Sequence, residues 1–298
     1  MNTKNNKMNI ETPRDQKTNN KQHTISTTLR IALIGAGNVA THLGKALSNA
    51  GCKIIQVYSR TESAASALAS SLNTTFTTNI TGITPNADLY LVMLKDSVLN
   101  EVLPSLTKQN PSALFVHTAG SVPMQIWEGL ATRYGVLYPM QTFSKAQPVD
   151  FELVHFFVEA NSTEDAELLK ELASLISSKV FEASSEQRKY LHLSAVFACN
   201  FTNHMYAICE HLLTEHGLPF SSMYPLIDET ARKVHHLSPV DGQTGPAQRY
   251  DTNIMQQQEA LLANEPILAD IYRLLSNNIH NYALQKEKEK EEPNANQG

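Results

Sequence analysis

The stretch LRIALIGAGNVATHLGKAL constrains the fold more than any other part of the chain. It joins a short apolar run to glycines and then to a segment with helical periodicity, which is the pattern of a dinucleotide-binding turn. In such a turn Gly35 would permit the tight bend, Gly37 would let the backbone approach a diphosphate, and Ala40 would allow close helix packing. The helix N-terminus, at Asn38 and Val39, would offer free N–H groups to phosphate oxygens.

Strand-like and helix-like segments alternate after this turn as far as about Ser184. Further strands are predicted at KIIQVYSR, DLYLVMLK, ALFVHTAG, GVLYPMQTF, HFFVEAN and KVFEAS, with helices between them, including a short one at MQIWEGLATRY. Continuous apolar strands in this alternation predict a parallel sheet covered by helices on both faces. Glycines alone also mark ordinary turns, so the alternation is what supports a nucleotide-binding turn.

Beyond Ser184 the strand signals stop, and EQRKYLHLSAVFACNFTNHMYAICEHLLTEHG predicts one long helix that ends at Gly217. Further helices follow it. The sequence therefore predicts an α/β protein, with a Rossmann-type parallel sheet domain followed by an all-α C-terminal domain. The predicted boundaries are 1–28 for a disordered polar tail, 29–184 for the sheet domain with its core at 29–150, 185–284 for the helical domain, and 285–298 for a charged tail.

Composition excludes several classes of partner. The 298 residues include 24 basic and 29 acidic side chains, without the clustered positive charge that nucleic-acid binding needs. The three cysteines form no CxxC pair, which fits a reducing compartment. Neither a span of ~20 apolar residues nor the apolar core of a signal peptide is present. We therefore expect a cytoplasmic protein that binds neither nucleic acid nor a membrane.

The end of the second predicted strand, VYSRTES, bears on the choice of cofactor. A domain that binds NAD usually carries Asp or Glu there, to hold the ribose hydroxyls. Here Ser59 and Arg60 take that place, and Glu62 follows too late for the role. A guanidinium can clamp a 2′-phosphate through paired charged hydrogen bonds, so the sequence predicts NADP rather than NAD. The alternative is that Arg60 is an ordinary surface residue.

Ligands of such sheets bind beyond the carboxyl ends of the strands, which draws attention to the loops LKDS, HTAGS and YPMQTF. Thr118 and Gly120 are predicted to lie beside the nicotinamide. Ser121 and Gln141 are predicted to contact the substrate. A plain turn after a strand is the alternative explanation for each loop.

The long helix carries a polar arc among apolar residues. At ~100° per residue, His192, Asn203 and Asn200 lie at about 0°, 20° and 80° around the axis. Because the unperturbed pKa of an imidazole, about 6.5, suits proton transfer near neutrality, His192 is the candidate general acid–base. Asn200 is predicted to orient the substrate and Asn203 to contact it. A core histidine with satisfied hydrogen bonds is the alternative for His192.

A later turn-rich segment, TGPAQRYD, places Arg249 near Asp251. This pair would bind a carboxylate substrate, close an interface, or form a surface ion pair of little energetic consequence. The eleven histidines fall into no ligand pattern, and H-E-x-x-H is absent, so the sequence predicts no metal site.

Together, five ordered motifs resemble those of a bacterial family of Rossmann-like oxidoreductases whose helical C-terminal domain is a domain of unknown function, DUF2520. The motifs are IGAGNVATHLGKAL, HTAGS, GVLYPMQTFS, LHLSAVFACNFTNHMYA and TGPAQRYD. The resemblance covers Leu29 to about Asn281. The family is in turn similar to deazaflavin-dependent NADP oxidoreductases, pyrroline-5-carboxylate reductases and the 6-phosphogluconate-dehydrogenase-like superfamily.

The resemblance implies a homodimer built by the helical domain, with the nicotinamide in a cleft between the domains. His192, Asn200, Arg249 and Asp251 would lie near it. The chain lacks the catalytic lysine that hydroxyacid dehydrogenase relatives carry on the long helix. We expect an NADP-dependent oxidoreductase that moves a hydride to or from a small polar substrate. The missing lysine leaves a non-catalytic NADP-binding sensor or scaffold as the alternative.

Overall fold

A computed structural model describes residues 29–291 as two compact units, 29–204 and 205–291. The predicted polar tail, 1–28, and the end of the charged tail, 292–298, lie outside the described residues. The strands are β1 Arg30–Ile34, β2 Lys53–Tyr58, β3 Thr75–Thr77, β4 Leu89–Val92, β5 Leu114–His117, β6 Arg133–Met140, β7 His155–Ala160 and β8 Val180–Glu182. The helices of the first unit are α1 Asn38–Asn49, α2 Glu62–Ser71, α3 Asp96–Thr107, α4 Thr163–Ser174 and α5 Ser185–Ala195, the last continued by a π-helical segment, Val196–Phe201.

All eight strands form one sheet in the order β3-β2-β1-β4-β5-β6-β7-β8. The first six strands of this order are parallel to one another. The chain leaves β1 for β2 on one side and returns to β4 on the other, which opens a crevice beyond the carboxyl ends of β1 and β4. The predicted α/β fold, with a Rossmann-type sheet followed by a helical region, is confirmed.

Buried apolar side chains cover both faces of the sheet, as the continuous apolar strands predicted. On β1, Ile31 and Leu33 belong to a cluster that includes side chains of α1, α2 and α4. Ala32 and Ile34 alternate with them and belong to a second cluster, which contains side chains of α3 and the fully buried Trp127. The parallel strands are thereby fixed between two helical layers.

Two local predictions were wrong. β7 runs antiparallel to β6 rather than parallel to it, because the connection 141–154 contains only a 3₁₀ turn and no crossover helix. The helix predicted at MQIWEGLATRY is a 3₁₀ turn at Met124–Trp127, and β6 begins at Arg133, inside the predicted helix. Gly129, with a φ of +74°, lies where that helix would have continued.

The second unit consists of helices among the residues that the structure describes. They are α6 Thr202–Glu215, which begins in the first unit, α7 Tyr224–Lys233, α8 Pro239–Gly242, α9 Pro246–Arg249, α10 Thr252–Ala260 and α11 Pro266–Glu291. The last helix includes the first part of the predicted charged tail. None of the described helices combines the length and the apolar character needed to cross a bilayer.

Candidate active site

The turn after β1 requires glycine at its first position. Gly35 has a φ of +131°, and its N–H donates to the carbonyl oxygen of Tyr58 at 2.7 Å. A Cβ at this position would lie 2.3 Å from the carbonyl oxygen of Met93, just beyond β4. Gly35 therefore lets the carboxyl ends of β1 and β4 approach each other at the crevice.

The start of α1 has the features of an anion site. Gly37 is the N-cap residue, and no described side chain caps the helix or places an acid in its first turn. A Cβ built on Gly37 would meet no other atom within 4 Å. Open space therefore lies beside uncapped N–H groups, and the diphosphate of a dinucleotide fits this arrangement.

Several residues of α1 that follow Gly37 pack against other parts of the sheet unit. Asn38 Nδ2 donates to the carbonyl oxygen of Phe143 at 2.8 Å, so this side chain holds the loop after β6 against α1. Ala40 is fully buried, as expected for a helix packed closely on the sheet. Gly44 contributes to the same packing, because a Cβ there would lie 2.6 Å from Leu33 Cδ1.

The end of β2 lies beside the same crevice, since β2 neighbours β1. Ser59 is half-buried, and its Oγ accepts from the N–H of Thr61 at 3.3 Å. Arg60 is exposed, and Glu62 is the first residue of α2. This edge thus presents an exposed guanidinium and a hydroxyl directly after the strand.

The loop after β5 is anchored at both ends. The N–H of Thr118 donates to the carbonyl oxygen of Val92, the last residue of β4, at 3.2 Å. Ser121 Oγ donates to Asp96, the first residue of α3. Ser121 therefore joins the loop after β5 to the start of α3, the helix that follows β4.

Gly120, between these anchors, contacts a tyrosine–histidine pair. A Cβ at Gly120 would lie 2.7 Å from Tyr138 Cζ and 3.0 Å from His192 Nδ1. The Tyr138 hydroxyl and His192 Nδ1 are 3.3 Å apart, within hydrogen-bonding distance. Burial raises the pKa of Tyr138, and the nearby positive charge of Arg188 opposes that shift. The pair is thus a protonated phenol in contact with an imidazole.

The angles predicted around the long helix for His192, Asn203 and Asn200 were wrong, because the π segment interrupts the α-helical periodicity. A π turn contains one more residue than an α turn, so later residues are rotated back by roughly 100°. The rotation brings Asn200 to the side of His192 and carries Asn203 away from it. Thr202 Oγ1 donates to the carbonyl oxygen of Phe197, five residues earlier, at 3.1 Å.

A cavity of about 330 Å³ lies between the end of β6 and this helix, and we call it the β6–α5 pocket. The strand side consists of Tyr138 and residues 140–142, and the helix side includes His192 and Asn200. Gln141 is exposed there, and Asn203 is not among the lining residues. The structure therefore brings His192, Asn200 and Gln141 together at one pocket.

A buried ion pair holds α5 against the sheet. Arg188 is fully buried, and its guanidinium pairs with Glu159 of β7 and donates to the carbonyl oxygen of Val122 at 2.7 Å. Ser185 donates from its N–H and Oγ to the same carboxylate, at 3.0 and 2.7 Å. Ser185 Oγ also accepts from the N–H of Met124 at 2.9 Å. The network fixes α5, one turn before His192, to the segment that follows Gly120.

His117, at the end of β5, is fully buried and stacks on Trp127. Its Nδ1 accepts from the N–H of Ala119 at 3.2 Å. Burial, reinforced by the charge of Arg188, lowers the pKa of His117 to about 3. This imidazole is therefore neutral at physiological pH and supports the loop that carries Gly120.

Two predicted residues lie in the second unit. Asp251 is the N-cap of α10, and its Oδ1 accepts from the N–H of Ile254 at 3.3 Å. Arg249 is exposed at the end of α9. The local helix start thus gives Asp251 a structural role.

The second unit has polar features of its own. His211, Glu215 and Glu265 offer ligand atoms within 4.8 Å of one another. A hydrogen bond to Glu265, at 2.8 Å, raises the pKa of His211, so ion pairing explains the cluster. A cavity of about 320 Å³ lies between α8 and α11, and none of the predicted site residues lines it.

Sequence reasoning marked the loop that begins at Tyr138 but gave the tyrosine itself no role. Its signal is weak, because an aromatic side chain near a strand end usually packs in the core. Glu159 and Arg188 were also missed. They lie 29 residues apart in sequence, and only the fold brings them together.

The fold and the crevice define a Rossmann-type nucleotide-binding protein with a helical C-terminal region. A family model described as NADP oxidoreductase coenzyme F420-dependent matches residues 30–119, and the model of DUF2520 matches residues 154–279. A crystal structure described as that of a "putative NADP oxidoreductase" from Bacteroides fragilis shares 54% identity and has a TM-score of 0.82. The match covers 86% of this chain and 99% of that one. The chain belongs to this family, in which an NADP oxidoreductase domain is followed by a DUF2520 domain.

More distant structures share the fold. A protein from Thermotoga maritima is 22% identical with a TM-score of 0.67, over 85% of this chain and 99% of that chain. An imine reductase from Myxococcus stipitatus in complex with NADP+ is 16% identical with a TM-score of 0.59, over 87% and 94%. No curated protein matches the chain.

Proposed function

We propose that the chain is an NADP-dependent oxidoreductase that moves a hydride to or from a small polar group of its substrate. One observation carries the proposal. Gly120, in the loop beside the nucleotide crevice, contacts both members of the Tyr138–His192 pair. The proposed nicotinamide site would thereby adjoin groups that are able to hold and transfer a proton.

The residues of the crevice fit NADP. Gly35 and Gly37, with the backbone N–H groups of Asn38 and Val39, would hold the diphosphate. The exposed Arg60 and the hydroxyl of Ser59 would bind the 2′-phosphate, for which a carboxylate would be repulsive. Support for NADP over NAD therefore comes from the end of β2.

Thr118 and Gly120 would lie beside the nicotinamide, which supplies the hydride when it is bound. In the direction of reduction, the carbon of a C=O or C=N group gains that hydride, and the π electron pair moves to oxygen or nitrogen. That atom takes a proton from Tyr138, which is reprotonated through His192. Asn200 and Gln141, which also line the β6–α5 pocket, would orient the reacting group.

A homodimer through the helical unit is part of the proposal. The described residues of that unit expose many large apolar side chains, among them Leu261 at 85%, Ile267 at 73% and Leu274 at 71%. Exposed apolar area on this scale is typical of an interaction surface. A second copy of the chain would cover it.

The test is a screen of NADPH oxidation against imines, keto acids and aldehydes. We expect one class to consume NADPH with formation of the reduced product, and Tyr138→Phe and His192→Ala to lower kcat by about a hundredfold or more. NADPH binding should be unchanged in both variants. Tight NADPH binding without NADPH oxidation by any of these compounds would instead favour the sensor, and unchanged turnover in His192→Ala would remove its role in proton transfer.

A further inference from the structure

The lining of the β6–α5 pocket is uncharged. Among the described residues around this cavity, none is Lys, Arg, Asp or Glu. Apolar side chains, among them Met140, Leu191 and Val196, form much of the wall. Such a surface binds apolar groups and offers no permanently charged side chain to an ionised one.

α5 carries two cations within about one turn of His192, and neither lines the β6–α5 pocket: Lys189 is exposed beside a different cavity, and Arg188 is neutralised. Arg188 lies one turn before His192, but its side chain is fully buried and directed to Glu159 and the carbonyl oxygen of Val122. A carboxylate in the β6–α5 pocket would therefore exchange part of its hydration for an apolar wall without gaining an ion pair from the lining. The same argument applies to a phosphate.

Polar side chains also line the pocket, namely Tyr138, Gln141, Thr142, His192, Ser194, Cys199 and Asn200. Tyr138 and His192 lie together, and Asn200 adds an amide on the helix side. We assign these three side chains to a single reacting carbonyl or imine. The volume, about 330 Å³, is near the lower end of the range for ligand sites and limits the rest of the substrate to a small skeleton.

We propose that the substrate is a small carbonyl or imine compound whose remaining groups are uncharged and mostly apolar, and that carboxylates and phosphates are excluded. The inference rests on the proposed function and specifies its substrate. The reacting C=O or C=N group is the polar part. The hydride adds to its carbon, NADPH is oxidised to NADP+, and the proton on oxygen or nitrogen comes from Tyr138.

Matched pairs of compounds test this proposal. Cyclohexanone is compared with 4-oxocyclohexanecarboxylate, and 1-pyrroline with 1-pyrroline-2-carboxylate, in NADPH oxidation by the full-length protein. We expect kcat/KM to be about a hundredfold or more higher for a neutral member than for its carboxylate. Equal or higher kcat/KM for a carboxylate would overturn the proposal and leave the oxidoreductase function intact.

A charge introduced into the pocket is the sharper version of the test. Leu191→Lys adds a cation to the lining, whereas Leu193→Lys adds one on the same helix outside the pocket, at a position that is 50% exposed. We expect Leu191→Lys alone to shift the ratio of kcat/KM toward the carboxylate by about tenfold or more. A ratio that stays unchanged in Leu191→Lys would contradict the assignment of this pocket.

Binding of unreactive analogues separates the two proposals. Calorimetry in the presence of NADP+ compares cyclohexanecarboxamide with cyclohexanecarboxylate. Tighter binding of the amide than of the carboxylate, with the opposite preference in Leu191→Lys, supports the uncharged pocket. If no compound is reduced in the activity screen while this binding pattern is observed, only the proposed function fails. Carboxylate binding as tight as that of the amide, or binding of neither analogue, overturns the substrate class.

Discussion

At the scale of single residues, a substitution at Gly37 should change nucleotide binding without changing the stability of the fold. A Cβ at this position meets no protein atom within 4 Å, so Gly37→Ala should leave the unfolding midpoint unchanged. The added methyl group would occupy the space where a diphosphate approaches, and we expect NADPH affinity to fall about tenfold or more. Calorimetric titration measures this change.

Gly242→Ala is the matched control, since an added Cβ is equally free there and the residue lies in α8. NADPH affinity should be unchanged in this variant. Full affinity in Gly37→Ala would show that the diphosphate does not bind beside α1.

A second prediction at this scale concerns His117 and the loss of folding stability at acidic pH. The unfolded chain takes up a proton on this imidazole below a pH of about 6.5, whereas the folded chain does so only near 3. Unfolding is therefore accompanied by proton uptake between these values. Stability should fall as pH decreases through this window, by up to about 1.4 kcal/mol per pH unit from this group.

Urea unfolding between pH 4 and pH 6, taken as roughly the centre of that window, measures the slope. His117→Asn removes the titrating group while keeping an acceptor near the N–H of Ala119. It should flatten the pH dependence, whatever its effect on absolute stability. His155→Asn, at a half-buried position on β7, is the control, and equal slopes in wild type and His117→Asn would contradict the assignment.

At the scale of elements, the buried Arg188–Glu159 pair joins α5, β7 and the segment after β5. Removing one partner leaves a buried charge without compensation, so Arg188→Met should lower the free energy of unfolding by about 3 kcal/mol or more. Replacing both partners with apolar residues, Arg188→Met with Glu159→Leu, should recover part of this loss. Urea denaturation measures both changes.

The exposed pair between Arg232 and Glu229 on α7 provides the control, because its arginine side chain is 66% exposed. Arg232→Met should leave the unfolding midpoint nearly unchanged. An equally small effect of Arg188→Met would show that the buried network does not hold α5 in place.

Much of the element pattern was predictable from the sequence, and the exceptions have physical causes. Gly35 and the apolar strands specify the first crossover locally, so that prediction succeeded. β3 was missed because Thr75–Thr77 is a short edge strand with exposed and half-buried side chains and lacks the apolar run of the central strands.

The π segment shows why the site was harder to predict than the fold. Nothing in VFACNF distinguishes a π turn from an α turn, although the difference decides that Asn200 rather than Asn203 lines the pocket with His192. Tyr138 lies beside His192 and Asn200 only because β6 packs against α5. Local sequence patterns carry no information about such contacts.

At the scale of the whole molecule, the exposed apolar surface of the helical unit predicts a homodimer. Light scattering coupled to size-exclusion chromatography should give twice the chain mass of 33.0 kDa. Leu274→Glu, at a position on α11 that is 71% exposed, should weaken the dimer. Leu153→Glu, which is 64% exposed in the sheet unit, is the control and should remain dimeric.

A monomeric wild-type protein would contradict this prediction. So would a Leu274→Glu variant that stays dimeric while Leu153→Glu dissociates, because the interface would then involve the sheet unit.

The central claim is that the crevice beyond β1, β2 and β4 binds NADP. Parallel calorimetric titrations with NADPH and NADH, on wild type, Arg60→Ala and Lys53→Ala, test it most directly. Lys53 is exposed at the opposite end of β2, so its variant is the control. We predict that NADPH binds about tenfold or more tighter than NADH, and that only Arg60→Ala abolishes the difference. Equal affinity for both nucleotides in the wild type, or no heat with either, would contradict the account.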